Sequence, residues 1–114
     1  MNAARSRAIV FLASSLADLR DFPAVARQRA GYQLDLVQAG HDPDDWKPMP
    51  AIGAGVREIR IRDVSGAFRV IYVATFAEAI FVLHCFRKTT PKTAKADLDL
   101  AARRYRTITG GHKG

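Results

Sequence analysis

A histidine, an aromatic ring and two cations follow an apolar segment in the second half of the chain. The apolar residues are 80–83, and His84, Phe86, Arg87 and Lys88 come after them, with Cys85 in between. An imidazole can exchange a proton near neutral pH, the two cationic side chains can bind a phosphate, and an aromatic ring offers a stacking surface to a nucleobase. These residue types indicate chemistry on a phosphate-containing ligand rather than a strand that only fills the core.

Other polar residues are expected to join them, because side chains alternate between the two faces of a strand. Three consecutive strands are predicted at 56–62, 68–73 and 80–86. Their apolar residues at alternate positions would face covering helices, and their polar residues would face the other side of the sheet. That open face would collect Glu58, Arg60, Arg62, Arg69, His84 and Lys88.

In the last of these strands, the alternation predicts that Phe81, Leu83 and Cys85 share one face, while Val82 and His84 lie on the other. The thiol of Cys85 would then be a small core group, and this interpretation is favoured over a nucleophile.

Several cations beside a single carboxylate repel one another, and a bound phosphate would relieve that repulsion. Plainer explanations stay open at this point. Exposed arginines often keep a sheet soluble or prevent edge pairing, Glu58 can pair with Arg60 or Arg69, and a strand histidine is usually structural. Because Arg69 lies in mid-strand on the open face, its replacement by alanine is expected to leave folding stability nearly unchanged.

Length and composition predict one globular domain over residues 1–114, since 48% of the residues are hydrophobic and 25% are charged. The net charge of +7 is unevenly distributed. Residues 1–54 contain six basic and six acidic residues, whereas residues 55–114 contain twelve basic and five acidic ones. A basic surface confined to part of a small domain suits a polyanion, either nucleic acid or an acidic protein. A surface that is merely solubilising is the other interpretation.

Several classes of protein are disfavoured by what the sequence lacks. The single cysteine excludes an internal disulfide and fits a reducing cytoplasm. No signal peptide or membrane-spanning segment is recognised, so a cytoplasmic location without a membrane partner is expected. There is no P-loop, no metal-ligand spacing around the histidines and no carboxylate pair of glycosidase type, so neither a metal nor a cofactor is expected. The tail at 110–114 is expected to be disordered.

The predicted elements follow the order β-α-α-β-β-β-α. A first strand at 8–12 leads into two helices that end at Gly40, a loop spans 40–54, and the last helix begins near Thr90 and Pro91. Short links between the three later strands imply an antiparallel meander. The sequence therefore predicts an α+β fold with a mostly antiparallel sheet and helices packed on one face. Trp46 is expected to anchor the loop on the core rather than to bind a ligand.

Four motifs between residues 55 and 106 form a recognisable series. They are E-x-R-x-R at 58–62, F-R-V-x-Y at 68–72, L-H-x-F-x-K at 83–88, and D-L-x-x-A at 97–101 in the last helix. Together they resemble the HigB-like, phage-related branch of the RelE/ParE toxin superfamily. Similar features on both sides extend the resemblance over about residues 8–108.

The resemblance implies a RelE-like fold and the toxin of a type II toxin–antitoxin system. Toxins of this kind act as ribosome-dependent mRNA endoribonucleases, or mRNA interferases, and are neutralised by an antitoxin encoded beside them, here expected to be a helix-turn-helix protein of HigA type. Their chemistry is metal-free: the ribose 2′-hydroxyl attacks the adjacent phosphate while cationic side chains stabilise the developing charge.

Carried over onto this chain, the resemblance implies a role for each cation of the open face. Arg69 would hold the scissile phosphate together with Arg60 and Lys88, and His84 would transfer a proton. The residues expected to bind or steer RNA are Arg57, Arg62, Phe86, Arg87 and Lys92.

The chain departs from the family pattern at two places. Many relatives have a tyrosine early in the last helix, where this chain has Thr93 and its neighbours, and Tyr105 is expected to face inward. Thr89 stands where many relatives have a second lysine. Two alternatives therefore stay beside the endoribonuclease: a protein that binds an antitoxin without catalysis, and an inhibitor of DNA gyrase like the ParE toxins.

Overall fold

The computed structural model describes residues 7–110. The elements are β1 (Ala8–Phe11), α1 (Ser15–Arg20), α2 (Ala24–Gln38), β2 (Trp46–Pro48), β3 (Val56–Asp63), β4 (Gly66–Val73), β5 (Ala79–Lys88) and α3 (Lys95–Thr109). The α+β class is confirmed, and so is the predicted order, apart from the additional short strand β2.

The five strands form one sheet with the order β1-β5-β4-β3-β2. β1 pairs with β5 in parallel, and the other three pairs are antiparallel, as predicted. A tight turn joins β3 to β4. Gly66 has a φ of 144° there, which only glycine adopts readily, and the Asp63 carboxylate accepts a hydrogen bond from the Ser65 backbone at 2.7 Å.

The helices cover both faces of the sheet, so the prediction that they pack on one face is wrong. α1 and α2 cover one face, where Ala26 and Ala30 pack against Ile59 and Val70. α3 covers part of the other face, where Ala101 packs with Ile71, Val73 and Leu83. The reason lies in β4, whose residues 68–73 are all buried and mostly apolar on either side, so that each face needs a cover.

An irregularity in β5 changes the predicted alternation. The pairing of β4 with β5 shifts between Ile71 and Tyr72, which oppose His84 and Val82 and leave Leu83 as an extra residue. Val82 and Cys85 therefore both belong to the core under α1 and α2, whereas Leu83 belongs to the core under α3. The prediction that Leu83 and Cys85 share a face is wrong, but His84 still lies on the side of Glu58.

Two predicted boundaries also differ from the structure. The loop expected at 40–54 contains β2. There the guanidinium of Arg57 lies over the ring of Trp46, with 3.8 Å between Cζ of Arg57 and the ring centroid. α3 begins at Lys95 rather than near Thr90 and Pro91, because residues 89–94 form a loop held against the sheet. Residues 111–114 of the predicted tail lie outside the described residues.

Within residues 7–110, no helix is both long enough and apolar enough to span a membrane.

Candidate functional site

A polar cavity of about 380 Å³ opens on the α3 face of the sheet, beyond the beginning of that helix. Antiparallel registry builds it in cross-strand rows. Arg62, Ala67 and Lys88 form the outer row, and Arg60 and Arg69 belong to the next row inward. The cavity, called the polar pocket below, is lined by Lys47, Glu58, Arg60, Arg62, Arg69, Lys88, Ala67, Thr90 and Pro91.

Among the residues that the structure describes, Glu58 is the only acidic one that lines this pocket, and five cations surround it. Its side chain is 1% exposed and its Oε1 lies 3.6 Å from Nε of Arg69, whose side chain is 8% exposed. Arg69 also donates from Nη1 to the Phe68 carbonyl at 3.0 Å. Burial lowers the pKa of Arg69, with Arg60 and Arg62 adding to that effect while Glu58 opposes it. The pair therefore holds a guanidinium in the pocket floor at a fixed position.

The loop 89–94 forms one wall of the pocket and is fastened at two points. Thr93 donates its hydroxyl hydrogen to Oε2 of Glu58 at 2.7 Å, and Lys88 donates from Nζ to the carbonyls of Thr90, at 2.9 Å, and Pro91. Desolvation lowers the pKa of Lys88, and the charge of Arg69 acts in the same direction. Lys88 is thus an ammonium in a crowded cationic site, held by neutral carbonyls that a phosphate oxygen can replace.

His84 lies one row further in, under α3, and it does not line the polar pocket. Its Nε2 is 2.7 Å from Oδ1 of Asp97 in the first turn of α3, and its ring stacks on Phe86 with 4.7 Å between centroids. The histidine is 6% exposed, and its Nδ1 is buried without a hydrogen-bond partner in the described part of the chain. These contacts suit a group that fastens α3 to β5.

Two of the predicted RNA-binding arginines lie on the other face of the sheet. Arg57 pairs with Asp42 at 2.8 Å, and its strand neighbour is Tyr72 of the α2-side core. Arg87 lies over the ring of Phe68, 5.4 Å from its centroid. Lys92 is exposed in the loop 89–94, and it is not among the residues that line the pocket.

Sequence reasoning missed two members of the site. Lys47 reaches the pocket because β2 pairs it with Glu58, and β2 was hidden by the prolines around it. Thr93 was noted only as the position that lacks a tyrosine. Its hydroxyl contact with Glu58 depends on how the loop 89–94 folds back on the sheet, for which the sequence carries no signal.

Among residues 7–110, no group of three or more histidine, cysteine, aspartate or glutamate side chains is placed to hold a metal ion.

Comparison with known proteins gives one family and one fold. Residues 17–106 match the family described as "Phage derived protein Gp49-like (DUF891)". Among solved structures, the E. coli toxin RelE, as a double arginine-to-alanine mutant in the free state, matches with a TM-score of 0.59 and 16% identity over 90% of this chain and 98% of that one. At this identity the match shows a shared fold. No curated protein sequence matches the chain.

Proposed function

We propose, from the premise that this chain belongs to the Gp49-like family of phage-derived proteins and has the RelE fold, that it is the toxin of a type II toxin–antitoxin system. Its activity is that of a ribosome-dependent mRNA endoribonuclease, in which the polar pocket holds the phosphate to be cleaved.

One observation carries the proposal: five cationic side chains line a pocket whose single carboxylate, Glu58, already contacts Arg69 and Thr93. Like charges at this density repel one another, and a phosphate diester relieves the repulsion. Arg69 is positioned by Glu58 before any ligand arrives, which is the condition under which a donor stabilises a transition state without reorganising.

In the proposed reaction, the ribose 2′-hydroxyl attacks the adjacent phosphorus and the bond to the 5′-oxygen breaks. The 2′-proton passes to a base, and the leaving 5′-oxygen receives a proton from an acid. Arg60, Arg69 and Lys88 stabilise the negative charge that develops on the phosphoryl oxygens, so the scheme needs no metal ion. Lys88 is also the proton donor that we propose, since it lines the pocket and since desolvation, together with the charge of Arg69, lowers its pKa.

His84 receives a different role from the one that the resemblance implies. Its Nε2 faces Asp97 and its ring lies under α3, so it is a positioning residue that keeps α3 and the preceding loop in place. Arg62 and Lys47 complete the cationic lining and bind the RNA backbone. Arg57 and Arg87 are left out of this site, since they face the opposite side of the sheet.

The partner expected for such a toxin is an antitoxin of the helix-turn-helix, HigA-like kind, encoded beside it. The charge of the chain supports an acidic contact segment in that partner, because residues 55–114 carry the whole positive excess.

Two variants of one strand test the proposal. Arg60 and Arg57 both lie in β3, both pair with an aspartate, and their side chains are 39% and 34% exposed. Arg60→Ala removes a cation from the pocket, whereas Arg57→Ala removes one from the other face. Cleavage of ribosome-bound mRNA, followed by mapping of the new 5′ ends, should fall about 100-fold for Arg60→Ala and stay near the original rate for Arg57→Ala.

Four outcomes would contradict the proposal in different ways. Equal loss in both variants would remove the polar pocket as the site. Cleavage that a chelator abolishes and a divalent ion restores would overturn the metal-free chemistry. Growth arrest without any new mRNA end, accompanied by inhibited DNA supercoiling, would point to gyrase, and neither arrest nor cleavage would leave a protein that only binds an antitoxin.

A further inference from the structure

A second groove of about 400 Å³ lies between α2 and β3, on the other side of the same sheet edge. Its α2 wall includes Arg29 and Tyr32, and its β3 wall includes Arg60, Ile61 and Arg62. We call it the α2 groove. Nothing in the proposed cleavage reaction uses it.

The α2 groove and the polar pocket are continuous through Arg60 and Arg62, which line both cavities. The sheet edge between them is open beyond Arg60. β2 pairs with β3 from Arg57 to Ile59, and the Asp45 carbonyl accepts a further hydrogen bond from the Arg60 backbone at 2.8 Å. Within residues 7–110, no strand pairs with this edge of β3 beyond Arg60. A flexible chain that occupies the polar pocket can therefore pass over the edge beside these two arginines.

The side chains of the groove suit a nucleobase. Tyr32 is 56% exposed on α2, which leaves a large part of its surface free for stacking. Arg29 donates a hydrogen bond to the Arg62 carbonyl, which holds its guanidinium at the groove. Three arginines line the groove against one acidic residue, Asp44, so the groove favours an anionic ligand.

The shape of the groove is fixed by a pair of hydrogen bonds rather than by the ligand. Gln33 donates from Nε2 to Oδ2 of Asp44 at 2.9 Å, and the Asp44 backbone donates to Oε1 of Gln33 at 2.8 Å. Gln33 is 9% exposed, so a nearly buried side chain of α2 holds Asp44 and the loop that follows the helix. A preformed site loses little entropy when it binds.

We propose, resting on the RNA-cleaving function proposed above, that the α2 groove binds nucleotides of the single-stranded RNA next to the cleaved phosphate. A base stacks on Tyr32, and the backbone crosses the sheet edge between Arg60 and Arg62. Every base can stack on an aromatic face, so the groove increases the affinity for RNA and sets the path of its backbone without selecting a base sequence. A peptide segment of a partner protein is the other candidate occupant. RNA is favoured because Arg60 and Arg62 extend the cationic lining from the polar pocket into the groove, where the exposed ring of Tyr32 lies.

RNA length gives the test. The full-length protein is titrated into fluorescently labelled, 2′-O-methylated oligonucleotides of three and of ten nucleotides, which it cannot cleave, and anisotropy reports binding. The longer RNA should bind more tightly. Tyr32→Ala should weaken binding of the ten-nucleotide RNA by roughly 5- to 100-fold and leave the three-nucleotide RNA unaffected. Tyr32→Phe should restore the affinity, since it keeps the ring.

Val25→Ala is the matched control, because Val25 is another exposed apolar residue of α2, at 48% exposure, and does not line the groove. Equal binding of both RNAs by Tyr32→Ala and by the unsubstituted protein would overturn the groove while leaving the polar pocket intact. A Tyr32→Ala variant that binds RNA normally but loses its antitoxin would assign the groove to the protein partner. Failure of the unsubstituted protein to bind either RNA would overturn this inference alone, because the proposed function is tested separately by cleavage of ribosome-bound mRNA with Arg60→Ala and Arg57→Ala.

Discussion

Arg69 lines the candidate site and also pairs with a buried carboxylate. The sequence places it on an open face, and in the structure it lies on that face but is buried beside Glu58. Alternation along a strand predicts which face a side chain takes, and that much could be read from the residues. It does not predict that the loop 89–94 folds over the pocket floor, so the burial of both charged groups could not be foreseen.

Replacement of Arg69 by alanine should therefore destabilise the protein, contrary to the expectation from the sequence. Loss of one partner leaves the Glu58 carboxylate buried without its cation, which typically costs about 3–5 kcal/mol. Urea denaturation monitored by Trp46 fluorescence should show the loss. The neighbouring variant Arg60→Ala should change the free energy of unfolding by no more than about 0.5 kcal/mol.

A double variant separates the charge from the packing. Arg69→Ala combined with Glu58→Gln should lose less stability than the two single variants added together, because no buried charge is then left uncompensated. Strict additivity, or an Arg69→Ala protein as stable as the original, would contradict the buried pair.

At the scale of elements, the three long strands could be predicted well. β3 was placed within a few residues because its apolar and polar positions repeat with a period of two, and β4 and β5 because each contains an apolar run. β2 was missed because its three residues, the last of which is Pro48, show neither pattern. The inward orientation of Tyr105 in α3 was recognised, but an inward-facing residue does not indicate which face of a sheet the helix covers. That choice followed from Ile71 and Val73 of β4.

Alanine substitutions at Gly53 and Gly31 should change stability in opposite directions. A β-carbon on Gly53 would lie 2.2 Å from the ring of Tyr105, which cannot move freely because its hydroxyl donates to the Ala54 carbonyl at 3.0 Å. Gly53→Ala should cost about 1–3 kcal/mol of stability through this overlap. Gly31→Ala meets no atom within 4 Å in the middle of α2, so it should stabilise the protein by up to about 1 kcal/mol. Thermal unfolding of both variants, compared with the unsubstituted protein, measures these changes in stability. A Gly53→Ala protein as stable as the original would show that the Tyr105 ring does not lie against Gly53.

The start of α3 depends on the contact between His84 and Asp97. Asp97→Ala removes a partly buried hydrogen bond to a carboxylate, which should cost about 1.5–3 kcal/mol, and hydrogen exchange should rise most in residues 89–100. The matched control is Asp99→Ala, which breaks the exposed pair with Lys95 in the same helix and should cost about 0.3–0.5 kcal/mol. If exchange rose equally in the two variants, His84 would not fasten the helix.

On the scale of the whole molecule, the charge is divided between the two sides of the sheet. The net charge of +7 was readable from the sequence, but not its arrangement. Arg60, Arg62, Arg69, Lys47 and Lys88 meet in one pocket, whereas Arg57 and Arg87 contact Asp42, Trp46 and Phe68 on the other side. Binding of an acidic partner should therefore depend on the cations of the polar pocket rather than on the net charge of the protein.

That distinction gives a prediction for the antitoxin. Calorimetric titration should show its affinity falling about tenfold or more as NaCl rises from about 0.05 to 0.5 M, because salt screens the contact between its acidic segment and the pocket. Two double variants each lower the net charge of +7 by two. Arg60→Gln with Arg62→Gln should weaken binding and flatten its salt dependence, while Arg57→Gln with Arg87→Gln should leave both unchanged. If the two double variants behave alike, total charge governs association, and if salt has no effect on any of them, the antitoxin binds through an apolar surface elsewhere.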